Sequence, residues 1–450
     1  MIQFLLAAPA SGSGKTTMAC ALLAALERRG LAPCAFKCGP DYIDPMFHRA
    51  VLGVESRNLD LFFSAPDTVR ALYGAAAAGH SSAVIEGAMG LYDGLGGVST
   101  SASLWDLANV LDLPVLLVLR PKGVSLTLAA QLRGLAAFRT PSHIAGVLLN
   151  DCTDSLYALL APMLERETGL PVLGHLPPLP AARLPSRHLG LYTAGEITDL
   201  KQKLALLADA AEQTLDWPRL LALAERPAPQ AVPVCAAPPC ADLAVARDEA
   251  FCFLYAETLD ALEQAGARLH FFSPLRDKEL PAGVGGLYLP GGYPELYAAA
   301  LARNESMRRA VRDAVQAGLP TVAECGGFLY LGQELEDEDG VLWPMAGALP
   351  GRGFRTGRLV RFGYAKLCAE QDSLLLRAGE RIPAHEFHHW DSTACGSSLT
   401  AEKPLSGRRW PCCVTGERLY AGFPHLYWAG TPLPLRFVGA ARRFQEGEVP

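Results

Sequence analysis

The sequence predicts two α/β domains in tandem, each built on a parallel sheet and joined by a proline-rich tether. Three observations lead there. A glycine loop near the N-terminus stands between a short apolar run and a helix-periodic run. Short apolar runs then alternate with helical patterns as far as Glu225. The segment Arg226–Ala241 next holds five prolines, and the alternation resumes after it. The expected limits are therefore 1–225, 226–241 and 242–450.

In the first domain the apolar run Leu5–Ala8 predicts a strand, and Thr16–Arg29 a helix stopped by Gly30. Cys34–Lys37, Ser82–Glu86, Val115–Leu119 and Ala145–Asn150 read as short buried strands. Helical patterns at Leu104–Leu111, Ser125–Phe138 and Ser155–Glu167 lie between them. In the second domain Leu243–Ala246 is a strand, Thr258–Gln264 a helix ending at Gly266, and Arg268–Phe272 the next strand. Gly286–Leu289, Thr321–Ala323 and Tyr420–Phe423 are later strands. No repeat occurs at periods of 20–50 residues.

A length of 450 residues suits roughly two or three domains, and 50% hydrophobic residues allow large cores. The net charge of −6, with no basic run, argues against a nucleic-acid surface. No stretch has the uncharged apolar length needed to span a bilayer, and the apolar N-terminus reads as a buried strand rather than a signal peptide. The 12 cysteines include no Cys-x-x-Cys pair, so reduced thiols in a cytoplasmic enzyme fit best.

The glycine loop reads Pro9-Ala-Ser-Gly-Ser-Gly-Lys-Thr-Thr17. Backbone N–H groups of such a loop cradle phosphate oxygens. Ser11, Gly12, Ser13, Gly14, Lys15, Thr16 and Thr17 are the expected nucleotide contacts, with Lys15 on the β- and γ-phosphates. Pro9 stands where the first glycine is usual. The turn Lys37-Cys-Gly-Pro-Asp-Tyr-Ile-Asp-Pro45 follows the second strand, at the end where ligands bind in such sheets. Glu86 closes the apolar strand of Val84-Ile-Glu-Gly-Ala-Met-Gly-Leu-Tyr-Asp-Gly94. Thr16, Asp41 and Glu86 form the expected Mg²⁺ set. Asn150 ends a strand, where its amide could read adenine or simply make a turn. Arg187 and His188, in a proline-flanked loop, could hold carboxylates or phosphates. With Tyr42, Asp44 and Asp93 they make the candidate substrate contacts.

In the second domain the focus is Pro320-Thr-Val-Ala-Glu-Cys-Gly-Gly-Phe-Leu-Tyr330. A strand runs into Cys325, and Gly-Gly opens a helix through Leu331. A cysteine on such a turn faces a helix N-terminus, which together with a nearby histidine is expected to favour the thiolate. Leu289-Pro-Gly-Gly-Tyr-Pro-Glu295 is a glycine turn whose N–H groups, at Gly292 above all, could join that of Gly326 in an oxyanion hole. The base must be a histidine from elsewhere. The candidates are His385, His388, His389 and His425; His425 follows a strand-like run and ranks first, and His385 is the rival, with a structural or substrate-binding role as its alternative. His-Glu-Phe-His lacks the His-Glu-x-x-His spacing of a zinc protease.

Together these pieces resemble the cobyrinic acid a,c-diamide synthase family. The resemblance rests on Gly-Lys-Thr, Lys-x-Gly-Pro-Asp-Tyr-Ile-Asp-Pro, Glu-Gly-x-Met-Gly-Leu-x-Asp-Gly and Ser-Arg-His-Leu-Gly-Leu. It extends through Ala-x-Ala-Arg-Asp-x-Ala-Phe-x-Phe (Ala244–Phe253), Pro-Gly-Gly-Tyr-Pro-Glu and Ala-Glu-Cys-Gly-Gly, over residues 1 to about 430. It implies an ATP-dependent amidoligase domain similar to dethiobiotin synthetase, then a class I glutamine amidotransferase domain. It further implies Mg²⁺, ATP and glutamine as co-substrates or cofactor, and amidation of a corrinoid at its a- and c-acetates. Ammonia freed at Cys325 would travel by an enclosed passage. The glutamine amidotransferase class generally carries Glu two residues after its catalytic His; here that residue is Tyr427, which leaves a Cys325–His425 dyad.

Cobyric acid synthase shares both domains, but the turn Lys37–Pro45 favours the a,c-diamide enzyme; nickel-sirohydrochlorin a,c-diamide synthase resembles the same pattern. From another class, a partner-binding switch ATPase would carry a second lysine where Ala10 stands. The sequence leaves open the metal in the tetrapyrrole, the order of the two amidations and the oligomeric state, a homodimer included.

Overall fold

The computed structural model of the chain describes residues 1–53, 56–184, 186–187, 190–191, 197, 199–231 and 236–447. They divide into two compact units, Met1–Pro233 and Val234–Pro450.

The first unit is a seven-stranded sheet of β1 (Ile2–Ala7), β2 (Pro33–Cys38), β3 (Arg57–Leu59), β4 (Ser82–Glu86), β5 (Val115–Leu119), β6 (Ile144–Asn150) and β7 (Val172–Leu176). The spatial order is β3-β2-β4-β1-β5-β6-β7, and every pairing is parallel. Parallel neighbours need crossovers, so helices recur between strands. They are α1 (Lys15–Arg28), α2 (Ile43–Leu52), α3 (Pro66–Ala77), α4 (Leu104–Leu111), α5 (Leu126–Phe138) and α6 (Asp154–Thr168). A short ribbon of β8 (Ser186–Arg187) and β9 (Gly190–Leu191) precedes α7 (Leu200–Thr214) and α8 (Trp217–Ala224). Strands β4 and β5 are buried throughout, as expected where helices cover both faces. Because β1 has β4 on one side and β5 on the other, its C-end is where strand order reverses and ligands are received. The loop after β1 opens there. Helix α1 buries Met18–Leu23, Ala25 and Leu26, nearly its whole girth, and packs against α2 and α7.

Both ends of the tether are tied down. The Arg226 N–H donates to Met1 O at 2.9 Å, and the Gln3 amide to Pro227 O at 2.8 Å. Further on, Ala237 N–H donates to Gln264 O and Cys240 N–H to Gly266 O, each at 2.8 Å. Ala241 is already the first residue of a strand.

The second unit opens with β10 (Ala241–Ala246), β11 (Ala267–Phe272), β12 (Gly286–Leu289) and β13 (Thr321–Glu324). It continues with β14 (Glu334–Glu336), β15 (Leu342–Pro344), β16 (Arg352–Ala369), β17 (Arg381–Ser392), β18 (Leu399–Glu402) and β19 (Arg409–Cys412). It closes with β20 (Val414–Gly416), β21 (Leu419–Gly422) and β22 (His425–Leu426). Its helices are α9 (Ala256–Gln264), α10 (Ala298–Arg303), α11 (Glu305–Gln316), α12 (Gly326–Leu331) and α13 (Leu433–Gln445). One sheet runs β11-β10-β12-β13-β21-β20, parallel except at the β20 edge.

The tandem α/β architecture expected from the sequence is found. Ser82–Glu86, Leu104–Leu111, Val115–Leu119 and Gly286–Leu289 agree residue for residue. One body of structure is additional. Between Leu331 and Tyr420, where the pattern assigned no element, lie strands β14 to β19 of a second sheet of order β15-β14-β16-β17-β22, with β18 beside β16 and β19 beside β18; its edge strand β22 follows at His425. Strand β16 hides from sequence reading because most of it is exposed or half-buried and rich in Arg and Gly. Its register against β17 shifts between Arg355 and Val360 and again before Gly363, which breaks the two-residue alternation. No helix among the described residues is long and apolar enough to cross a membrane.

Candidate active sites

In the first unit the loop from Ala8 to Gly14 joins β1 to α1. Gly14 caps α1 in the left-handed region at φ +93, and a Cβ there would meet the Asn150 amide nitrogen at 2.0 Å. The Asn150 amide donates to Ser13 O at 3.1 Å, so it closes on the phosphate loop. Ser13 Oγ donates to Ala10 O at 2.9 Å. Ser11 and Gly12 are exposed, and Thr17 is half-buried in the first turn of α1. Pro9 is accommodated by a glycine opposite: a Cβ on Gly90 would meet Pro9 O at 2.7 Å. Exposed Asp93 holds that second loop by accepting the Gly90 N–H at 2.9 Å. Lys15 Nζ reaches across to donate to Met89 O at 2.5 Å. Burial, with Lys37 nearby, lowers its ammonium to about 8.

Behind the loop lies a buried polar cluster. Glu86 Oε1 accepts from Thr16 Oγ1 at 2.6 Å and from Lys37 Nζ at 3.1 Å. Its Oε2 is 2.8 Å from His48 Nε2, and His48 Nδ1 is 3.0 Å from Ser56 Oγ. Lys37 also donates to Asp44 at 2.5 Å and to Gly87 O at 3.1 Å. Burial opposes the charged form of Glu86, but Lys37, His48 and Thr16 outweigh it and hold the carboxyl well below its usual range. Burial likewise opposes the Lys37 ammonium, and Asp44, Glu86 and Asp41 together keep it charged.

The expected Mg²⁺ set is brought together in part. Thr16 and Glu86 are adjacent oxygen donors, which suits a cation that takes one or two protein ligands and fills its octahedron with phosphate oxygens and water. Asp41 stands at the edge. Its Oδ1 accepts the N–H groups of Ile43 and Asp44 at the start of α2, and its Oδ2 is 4.0 Å from Lys37. Among the described residues no three His, Cys, Asp or Glu side chains surround a common metal position. Half-buried Tyr42 precedes α2, and Asp44 lies in its first turn. His188 lies outside the described residues; Arg187 has its backbone in β8 and its side chain outside them.

In the second unit Cys325 sits at the turn from β13 into α12 with φ +48 and ψ −101, a strained backbone for a residue with a side chain. Tight packing makes both following glycines necessary. A Cβ on Gly327 would meet Leu289 O at 2.1 Å, and one on Gly326 would lie 3.0 Å from Gly292 N. The Gly326 N–H faces the thiol sulfur. The backbone nitrogen of Gly292 therefore lies close to Gly326, so the glycine turn after β12 and the start of α12 meet beside Cys325. Asp248 fixes the Gly291–Tyr293 turn from below. Its Oδ1 accepts Ala250 N–H and Phe251 N–H, and its Oδ2 accepts Ser273 Oγ–H and Leu275 N–H. Ala250 O then accepts Tyr293 N–H at 3.0 Å, and Phe253 N–H donates to Gly291 O at 3.0 Å.

His425 packs against the same glycine turn: a Cβ on Gly291 would meet its Cε1 at 2.4 Å. Cys325 N–H donates to Gly422 O at 2.7 Å, which ties the thiol's turn to the segment leading into His425. His385 is directly opposite His425 across β17 and β22, so the two imidazoles share a face. Burial, with His385 and His388, lowers His425 to about 3, which leaves it a neutral base at pH 7. The expectation of a resting thiolate is corrected. Burial pushes the Cys325 thiol up, with Glu295, Glu386 and Glu324 adding to it, and the dipole of six-residue α12 does not compensate. Burial therefore favours the protonated thiol over the thiolate.

Residues 4–191 match the family described as a CobQ/CobB/MinD/ParA nucleotide-binding domain. Residues 242–429 match the CobB/CobQ-like glutamine amidotransferase domain. Over 454 residues, and 98% of both chains, the protein is 41% identical to the cobyrinate a,c-diamide synthase of Salmonella typhimurium. The chain belongs to the cobyrinate a,c-diamide synthase family. It is 36% identical to the synthase of that name from Caldanaerobacter subterraneus, over 94% of each chain. It is 40% identical to that of Synechococcus, over 86% of each.

For this member of the cobyrinate a,c-diamide synthase family, sequence reasoning missed Lys37, His48 and Asp248. A lysine inside the apolar run Pro33–Cys38 was the available signal for the first, since a fully buried ammonium needs partners. Asp248 stood inside the motif Ala244–Phe253 with no role given to it, and no local pattern marked His48.

Proposed function

We propose that this chain is an ATP- and glutamine-dependent ligase that amidates the a- and c-acetate carboxylates of cobyrinic or hydrogenobyrinic acid in cobalamin biosynthesis. The observation that carries the reading is the end-to-end match to a cobyrinate a,c-diamide synthase in a chain holding both a phosphate loop and a cysteine elbow.

His425 takes the Cys325 proton as sulfur attacks the side-chain amide carbon of glutamine. Gly292 and Gly326 N–H groups hold the oxyanion. The proton passes to the leaving ammonia, and water then cleaves the thioester to give glutamate. In the first unit a substrate carboxylate oxygen attacks the γ-phosphorus of ATP and ADP leaves. The work of the protein there is positioning and charge compensation by Lys15 and the loop N–H groups, with Lys37 as a further cation at the strand ends. Mg²⁺ held through Thr16 and Glu86, with Asp41 beside them, would supply neutralisation of phosphate charge. Ammonia attacks the acyl phosphate carbon, phosphate departs and the amide is formed. Each cycle consumes one ATP and one glutamine, so two amides require two cycles.

The test is to incubate the protein with Mg²⁺, ATP, glutamine and each candidate tetrapyrrole, and to count added amides by mass. Two amides on cobyrinic or hydrogenobyrinic acid support the proposal. Amidation only of nickel-sirohydrochlorin, or ATP hydrolysis with no amide formed, overturns it.

A further inference from the structure

The imidazole of His425 needs a partner at Nδ1 to hold its tautomer and to share the charge it acquires. The position two residues on, where the class generally keeps an acid, is Tyr427, whose ring packs against Tyr255 at 5.3 Å. The fold brings an acid from elsewhere. Glu324 is the last residue of β13, immediately before Cys325, and in the parallel register of β13 with β21 it lies beside Gly422. The chain then returns through Phe423 and Pro424 to His425. This route sets Glu324 Oε2 3.9 Å from His425 Nδ1, with both side chains at most 2% exposed.

The carboxylate is held by other donors. Tyr288 Oη–H donates to Oε2 at 3.1 Å, Leu426 N–H to Oε1 at 3.2 Å, and Trp428 Nε1–H to Oε1 at 3.5 Å. Two of these come from the segment right after His425, so the same carboxylate that faces the ring also anchors its backbone. The separation of 3.9 Å is beyond direct hydrogen bonding. Catalytic hydrogen bonds are often long before substrate binds and close afterwards. Other titratable groups face the pair: Tyr288 on β12, Tyr420 on β21, His385 and His388 on β17, and Cys325 itself.

We propose that Glu324 is the positioning residue of the glutaminase centre, orienting His425 through Nδ1–H and compensating the imidazolium formed when Nε2 takes the Cys325 proton. The acid of the triad is thus carried on the nucleophile's own strand. The inference rests on the Cys325–His425 reading above. A purely structural Glu324 would anchor Leu426 and Trp428 and nothing more.

Glutamine hydrolysis by the full chain separates the two roles. For Glu324→Gln, kcat is expected to fall by about 10²-fold or more, with KM within about twofold of the parent. The acidic limb of the kcat/KM profile should disappear. Glu324→Asp should recover about tenfold of the loss. In a His425→Ala background Glu324→Gln should change the rate of Cys325 alkylation by iodoacetamide less than about twofold. If Glu324→Gln does not fold, judged by thermal melting, Glu324→Asp alone decides: kcat lowered about tenfold at unchanged KM supports the role. Unchanged kcat, a rise in KM alone, or an equal effect on alkylation with and without His425 overturns it. Cys325→Ala is measured alongside. Glutaminase surviving in that variant would overturn the reading underneath, whatever Glu324 does.

Discussion

The Lys37 ammonium stands 3.1 Å from the Glu86 carboxylate, where the register of β2 against β4 sets the two residues side by side. Both are almost wholly buried. Lys37→Met would remove the ammonium that both Glu86 and Asp44 contact. Breaking a buried pair from one side costs about 3–5 kcal/mol. The urea midpoint of the first unit should fall by that free energy divided by the m-value, and an unchanged midpoint would contradict the pairing.

Lys15 is the cation aimed across the phosphate loop. Lys15→Ala should stop amidation with glutamine and with ammonia alike, because both routes need the same phosphorylated intermediate. Turnover retained with ammonia would remove Lys15 from the nucleotide site.

Gly327 has no room for a side chain, since a Cβ would meet the Leu289 carbonyl at 2.1 Å. Gly327→Ala should destabilise the second unit by about 1–3 kcal/mol and abolish glutamine hydrolysis through displacement of the Cys325 turn. Gly134, inside α5 and open to solvent, is the contrast, with nothing within 4 Å of a Cβ. Gly134→Ala should stabilise by about 0.5–1 kcal/mol. Equal effects at the two positions would refute the packing argument.

Burial raises Glu324 to about 7 from an ordinary 4.5. The folded value is the higher one, so the group's contribution to stability is complete below about pH 4.5 and is lost as pH rises through about 7. The loss amounts to about 3 kcal/mol over that window. Compared with Glu324→Gln, which does not titrate, the parent's second unit should weaken steadily across the window and level off above it. A stability difference that stays flat from about pH 4.5 to about pH 7 would show that Glu324 is not buried as described.

The strand–loop–helix at residues 2–28 was legible because Gly12, Gly14, Lys15 and Thr16 each answer a local backbone or phosphate demand. The central strands were legible because burial on both faces makes them wholly apolar. The relationships that complete the sites were not, since they arise from register. Glu86 meets Lys37 from 49 residues away through β2 and β4, and Glu324 meets His425 through β13 and β21. The sheet of β14–β19 escaped because its longest strand is exposed, charged and irregular. The resting state of Cys325 was misjudged for an energetic reason: desolvation at 6% exposure outweighs the end of a six-residue helix.

In the proposed division of labour, ammonia is freed at Cys325 and ATP is spent at a separate centre of the same chain to trap it as amide. The most direct measurement is the number of amides added to the corrinoid by Cys325→Ala, read by mass, with glutamine and with ammonia as nitrogen source. No amides from glutamine and two from ammonia is the expected result. Loss of both activities, or survival of the glutamine-dependent one, would contradict it.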